Sequence, residues 1–84
     1  MTDQVVWNRM LEVMRETFDD DSVEVSREST AQDVDGWDSL KHIELIVALE
    51  GAFGVRFRTG EIAGFKTVGE MADAITMRVT HGDR

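Results

Sequence analysis

The sequence predicts an all-α fold: a small four-helix bundle of three longer helices and one short third helix, with a long first loop. Three segments carry apolar residues at the spacing of a helix that is buried on one side. Residues that start and stop helices lie at the ends of these segments. Residues 23–26 and 55–58 alternate as strands do, but runs of about four residues are too short to stand without a sheet. With 84 residues and no visible linker or repeat, we expect a single domain spanning residues 1–84.

The first helix is expected to reach about Phe18, and Thr2 or Asp3 can cap its start. Its broad apolar stripe contains methionines, which at this spacing are more typical of a core than of a cofactor site. The stripe consists of Val6, Trp7, Met10, Leu11, Val13, Met14, Thr17 and Phe18. Three acids at residues 19–21 should end the helix because they place negative charge at its negative pole. We expect the long connection that follows to be extended, with its valines turned inward and a 3₁₀-like turn near residues 30–33.

The second helix is predicted to open at Asp38-Ser39-Leu40 and to run to about Phe53. Asp38 is a good N-cap, since its carboxylate can accept from backbone N–H groups of the first turn. Ser39 then lies near the positive end of the helix dipole, which would stabilise an attached phosphodiester. Gly54 is placed to end the helix in the left-handed conformation.

Positions 100° apart divide the second helix into two apolar faces. The core face consists of Leu45, Ile46, Leu49, Ala52 and Phe53. The opposite face, called here the docking face, consists of Leu40, Ile43 and Val47, with Glu44 and Glu50 beside them. A chain this short cannot easily surround a helix, so the docking face predicts an apolar partner site with an acidic border. Gly51 lies on the same side and would allow a partner to approach closely.

Two helices are expected after the second one. The third is short, from about Thr59 to Phe65, and turns Ile62 and Phe65 inward. Thr67 and Glu70 have the spacing of a capping box that opens the fourth helix. The apolar side of the fourth helix consists of Val68, Met71, Ala72, Ile75 and Val79.

The formal net charge is −8, and the acids are concentrated in the first part of the chain. Residues 1–50 contain 13 acidic and 4 basic side chains, whereas residues 51–84 contain 4 acidic and 5 basic ones. Such a field disfavours nucleic acid and favours basic protein surfaces. An alternative interpretation is that the acidic side chains serve only to keep the protein in solution. No apolar run approaches a membrane span and the N-terminus lacks a basic signal region, so we expect a cytoplasmic protein without membrane association.

Other chemistries fit the residues around Ser39 less well. A serine hydrolase needs a base and a residue that orients it, but His42 should point toward the core side of the helix, so we predict no enzyme. Asp33, Asp35 and Glu44 match positions 1, 3 and 12 of a calcium-binding EF-hand, yet the loop glycine is misplaced and the helix would begin inside the loop. The chain has no cysteine, and we predict no bound metal. An interaction module with an unmodified serine stays open.

Acyl carrier proteins have a modification site that resembles residues 36–45, which read Gly36-Trp37-Asp38-Ser39-Leu40-Lys41-His42-Ile43-Glu44-Leu45. The resemblance continues through residues 46–50, Phe53-Gly54 and Thr67-Val68, and the long first loop is similar. It implies that a phosphopantetheinyl transferase uses coenzyme A and Mg²⁺ to attach 4'-phosphopantetheine to Ser39, with Asp38 helping to hold the metal. The thiol of this arm would carry acyl groups as thioesters. The implied partners of this monomer are acyl- or aminoacyl-loading ligases or transferases and downstream biosynthetic enzymes, which would bind the docking face.

Several residues differ from those of the carriers that serve fatty-acid synthesis. They are Lys41 and His42 in place of an acidic-polar pair, Gly51 and Ala52 in place of further acids, and Arg58 where proline is common. Trp37 before the Asp-Ser-Leu motif resembles stand-alone carriers of specialised pathways. We therefore expect a polyketide, other natural-product or modified-lipid pathway, with an aminoacyl or D-alanyl carrier as the second interpretation.

Overall fold

A computed structural model describes residues 3–80 of the chain as four α-helices and one 3₁₀ turn. The helices are α1 (Asp3–Phe18), α2 (Ser39–Phe53), α3 (Thr59–Gly64) and α4 (Val68–Thr80), and the 3₁₀ turn is Ala31–Asp33. No strand occurs within this part of the chain, so the all-α bundle with a long first loop is confirmed. Thr2, one of the two predicted caps of α1, lies outside the described residues.

The core lies where α1 packs against α2 and α4. The buried residues of the helices come from the apolar stripes that the sequence predicts, and Leu45 and Leu49 of α2 have no exposed surface. The other members of the core are Val6, Met10, Val13, Met14, Trp37, Ile46, Val68, Met71, Ala72 and Ile75. Val23 and Val55, which belong to the extended segments, are also buried, as expected. One side of α2 is therefore fixed in the core, and its other side is left for the candidate site.

The end of α1 lies at the predicted acids, but its cause is different. Asp19 adopts the left-handed conformation with a φ of 51°. The N–H groups of Asp19 and Asp20 then donate to carbonyls of the last helical turn at 3.2 and 3.0 Å. The ammonium of Lys41 lies 3.4 Å from the carbonyl oxygen of Thr17 and brings positive charge to this helix end. The helix thus ends in a turn that satisfies its carbonyls, and charge repulsion is not needed to explain it.

The end of α2 is at Gly54, as predicted. Gly54 has a φ of 67°, and its N–H donates to the carbonyl oxygen of Glu50 at 2.8 Å. The N–H of Val55 donates to the same oxygen at 3.1 Å, and the Val55 side chain is buried. This arrangement is the left-handed cap with its apolar contact.

The start of α4 differs in one bond from the predicted capping box. The Thr67 hydroxyl oxygen accepts from the N–H of Glu70 at 3.2 Å, as expected. The Glu70 carboxylate accepts from the N–H of Lys66 at 2.9 Å, which is one residue earlier than a capping box requires. The backbone at the junction of α3 and α4 is therefore held by the first turn of α4.

The long first loop is fastened to the N-terminus of α4. The N–H groups of Val68 and Gly69 donate to the carbonyl oxygens of Ser29 and Arg27, both at 2.9 Å. A Cβ atom on Gly69 would lie 2.8 Å from the Arg27 carbonyl oxygen, so the close approach depends on glycine at this position. The loop thereby supplies two of the partners that the first N–H groups of α4 lack within the helix.

Candidate functional site

The predicted start of α2 has the geometry of a capped helix. Asp38 has an extended backbone, and its Oδ1 atom accepts from the N–H of Lys41 at 2.8 Å. The N–H of His42 donates to the Asp38 carbonyl oxygen at 2.9 Å, which closes the first helical turn. These two bonds fix the backbone on both sides of Ser39, so its position relative to α2 is well defined.

Ser39 is exposed in the first turn of α2. Its hydroxyl makes no hydrogen bond with any residue that the structure describes. The first turn of a helix carries N–H groups without helical partners and the positive end of the helix dipole. An anion attached to Ser39 Oγ is therefore stabilised by the helix that positions it.

Trp37 and His42 connect the first loop, α2 and α3. The indole N–H of Trp37 donates to His42 Nδ1 at 3.2 Å, and the two rings lie with centroids 5.9 Å apart. His42 Nε2 lies 3.1 Å from the carbonyl oxygen of Ile62. Because a carbonyl can only accept, Nε2 carries the proton and Nδ1 is the acceptor for Trp37. With both nitrogens occupied in this way, His42 is not placed to act as a base for Ser39.

A groove of about 780 Å³ opens beside Ser39. It is bordered by the start of α2, by α3, by the first turn of α4 and by the end of the long loop. Its apolar lining residues include Trp37, Ile43, Ile62, Phe65 and Met71. Lys66 contributes the one basic side chain with a permanent charge among the lining residues that the structure describes. No sequence pattern indicates Lys66, because a residue in the connection between α3 and α4 comes to the same groove as Ser39 only through the tertiary fold.

The two predicted faces of α2 differ in exposure as expected. Leu40, Ile43 and Val47 of the docking face are 68%, 51% and 60% exposed, whereas Leu45 and Leu49 are fully buried. The three exposed side chains therefore form an apolar surface on a helix whose packing does not use them.

The acids of the docking face have internal partners that the sequence did not reveal. Glu44 is exposed, and its carboxylate lies 3.2 Å from the ammonium of Lys41. Glu50 is half-buried, and its Oε2 atom accepts from the N–H of Phe57 at 2.8 Å. Glu50 thus ties the loop after α2 to the helix, a contact between residues 7 apart that helical periodicity does not report.

Neither a metal cluster nor a membrane span is found between residues 3 and 80. Within this range no three histidine, cysteine, aspartate or glutamate side chains are grouped as ligands of one ion. Asp33, the first of the EF-hand positions, instead accepts from the N–H of Thr30 at 2.8 Å in the 3₁₀ turn. None of the described helices combines the length and the apolar character that crossing a bilayer requires.

Comparison with known proteins gives a consistent result. A family model described as a phosphopantetheine attachment site matches residues 8–75. An acyl carrier protein of Clostridium perfringens is 34% identical over 71 residues, which is 84% of this chain and 93% of that protein. One of Lactobacillus johnsonii is 27% identical over 75 residues, 89% of this chain and 94% of that protein.

A solved structure is also similar. The solution NMR structure of a holo acyl carrier protein from Geobacter metallireducens superposes with a TM-score of 0.83 at 39% identity, covering 89% of this chain and 86% of that one. A carrier of this kind holds a covalent 4'-phosphopantetheine, and the exposed serine on a capped helix start fits a group attached through a phosphodiester. The matches to the attachment-site family and to curated relatives over most of their length, together with the shared fold, mean that this chain belongs to the acyl carrier protein family and is a carrier, not an enzyme.

Proposed function

We propose that Ser39 is the residue to which 4'-phosphopantetheine is attached. The observation that supports this most directly is the position of Ser39, exposed in the first turn of α2 directly after the Asp38 cap. In this function Ser39 Oγ attacks the phosphorus of coenzyme A that bears the pantetheine arm. The diphosphate bond breaks, 3',5'-ADP leaves, and the hydroxyl proton passes to a base of the transferase. The arm, once bound, supplies a terminal thiol that carries acyl groups as thioesters.

Asp38 has two tasks in this proposal. Its Oδ1 atom caps α2, while the structure gives no protein partner to Oδ2 within the described residues. Oδ2 is therefore available to the Mg²⁺ of the phosphopantetheinyl transferase, since carboxylate oxygen is a ligand that Mg²⁺ prefers. The same residue then holds the helix start and the metal on adjacent sides of the serine.

The docking face is proposed as the contact surface for partner enzymes. Leu40, Ile43 and Val47 offer apolar area next to Ser39, and Glu44 adds negative charge that steers a basic partner. Glu50 is proposed as a border residue of this surface, although its carboxylate is bound to Phe57. The partners are the transferase, an acyl- or aminoacyl-loading ligase or transferase, and downstream biosynthetic enzymes.

The pathway is proposed to be a specialised one, for a polyketide, another natural product or a modified lipid. Trp37 before the modification motif supports this, together with the residues that replace those of fatty-acid carriers. An aminoacyl or D-alanyl carrier is the second candidate, because the same arm accepts either cargo. We expect the protein to be cytoplasmic in the host that produces it. The intact mass of protein isolated from that host identifies the cargo by the mass that the cargo adds.

Attachment is tested with coenzyme A, Mg²⁺ and a broad-specificity phosphopantetheinyl transferase. We expect the mass of the wild type to rise by one phosphopantetheine and that of Ser39→Ala to stay unchanged, with equal helical content. The matched control is Ser22→Ala. Ser22 is also exposed and lies in a similar run, Asp21-Ser22-Val23, but in a turn where its hydroxyl donates to Asp20 at 2.6 Å.

The control should be modified like the wild type. Modification of Ser39→Ala, or of neither protein by several transferases, would contradict the assignment. Failure with every transferase would instead favour an unmodified interaction module.

A further inference from the structure

The groove beside Ser39 is lined by two side chains of permanent charge, Asp38 and Lys66, among the residues that the structure describes. Asp38, its one carboxylate, is bound through Oδ1 to the N–H of Lys41. Lys66 is exposed and forms no ion pair with the residues that the structure describes. His42 uses both ring nitrogens for Trp37 and Ile62. Lys66 is therefore the cation of the groove that has no ion-pair partner within the described residues, whereas the Asp38 carboxylate keeps its charge and is bound only to a backbone N–H.

The backbone of Lys66 is fixed, and its side chain is exposed. Its N–H donates to the Glu70 carboxylate at 2.9 Å, and the adjacent Thr67 caps α4. The Glu70 carboxylate is thus occupied by the backbone and not by the ammonium of Lys66. A long side chain that starts from a fixed point can cover the opening of the groove at a smaller cost in entropy than one on a mobile loop.

We propose that Lys66 is a positioning residue whose ammonium pairs with the phosphodiester of the arm on Ser39. The inference rests on the proposed attachment to Ser39, which places one negative charge at the edge of this same groove. Lys66 is the one Lys or Arg side chain that lines this groove among the residues that the structure describes. Pairing with Lys66 directs the first part of the arm across the groove between α2 and α3, where otherwise it would extend into solvent.

The pairing is measured with a thermodynamic cycle on the unacylated holo protein. The thermal midpoints of the apo and holo forms are compared for the wild type and for Lys66→Gln, so that any structural effect of the substitution itself cancels. We expect the change from apo to holo to be more favourable in the wild type by about 1–8 °C, as for one exposed ion pair in a domain of this size. Because the arm bears no acyl group, no cargo contributes.

Two further variants and one salt series make the test specific. Lys66→Arg should retain the wild-type difference. Arg56→Gln removes an exposed cation that does not line the groove, and should also behave like the wild type. The ³¹P resonance of the arm should differ between wild type and Lys66→Gln at low salt and coincide at about 1 M NaCl, where the screening length is about 3 Å.

Three outcomes would overturn the proposal. They are equal apo-to-holo changes in wild type and Lys66→Gln, an equal loss in Arg56→Gln, and a ³¹P difference that persists at high salt. A holo form that cannot be made at all refutes the attachment to Ser39, and the role of Lys66 falls with it. Normal attachment without any effect of Lys66→Gln refutes the role of Lys66 alone.

Discussion

Replacing Gly69 by alanine should separate the long first loop from α4. A Cβ atom at this position would lie 2.8 Å from the Arg27 carbonyl oxygen and 3.0 Å from the Arg27 Cβ atom. The obstacle is backbone, so it cannot be relieved by a change of rotamer. The loop must move away, and the bonds from Gly69 to Arg27 and from Val68 to Ser29 are lengthened or lost.

The size of the effect follows from opposing contributions. Alanine is favoured over glycine in a helix by about 1 kcal/mol, less near a helix end. Two backbone hydrogen bonds contribute about 1 kcal/mol each, and forced overpacking costs about 1–3 kcal/mol. We expect Gly69→Ala to lower the free energy of unfolding by about 2–4 kcal/mol, or the thermal midpoint by roughly 10–30 °C.

Gly51→Ala is the matched control for this experiment. Gly51 is also a helical glycine, is exposed, and has no heavy atom within 4 Å of an added Cβ. The same substitution should therefore raise the free energy of unfolding by about 1 kcal/mol. Urea unfolding followed by circular dichroism measures both variants. A Gly69→Ala variant as stable as Gly51→Ala would refute the view that contact with the Arg27 carbonyl requires glycine.

Two other predictions concern the docking face and α3. Leu49→Ala should lower the free energy of unfolding by about 2–5 kcal/mol, whereas Val47→Ala should lower it by under about 1 kcal/mol and yet slow cargo transfer by a cognate partner. Urea unfolding measures the stability of both variants, and a loading assay measures the transfer. The reverse pattern would show that the faces are misassigned. The pKa of Glu61 is lowered because its carboxylate accepts from the N–H of Arg58 and pairs with the Arg78 guanidinium. The contribution of Glu61 to the free energy of unfolding is therefore fully present above its ordinary pKa of about 4.5, and it is lost as the pH falls through the lower pKa of the folded state. The stability difference between wild type and Glu61→Gln should accordingly be constant near pH 7 and shrink from about pH 5 downward in urea titrations, and a difference that does not change with pH would contradict this pairing.

Local features of this fold could be predicted from the sequence, because they depend on residues within one or two helical turns. The Asp38 cap, the stop at Gly54 and the two faces of α2 all follow from side-chain type and a period of 3.6 residues. The sequence predicts the position of the end of α1 but not its cause, because the left-handed conformation of Asp19 has no sequence signature as strong as that of glycine.

The contacts that complete the site join distant segments and could not be predicted in this way. Lys66 meets the groove because α3 folds back beside the start of α2, and His42 bonds to a carbonyl 20 residues away. Glu50 has the spacing of a solvent-facing acid, and only the path of the loop brings the N–H of Phe57 to it. Periodicity reports which side of a helix faces the core, and it does not report which loop crosses the other side.

The residues that differ from those of fatty-acid carriers fall into two groups: some make contacts within the fold, and others are exposed. Lys41 holds the end of α1 and His42 links Trp37 to α3, so both are explained by the scaffold itself. Gly51 and Arg58 are exposed, and neither belongs to the buried core. A partner enzyme can contact only residues that are exposed at the surface. The differences that distinguish this carrier's partners are therefore expected at Gly51, near the C-terminal end of α2, and at Arg58, directly before α3, and not at Lys41 and His42.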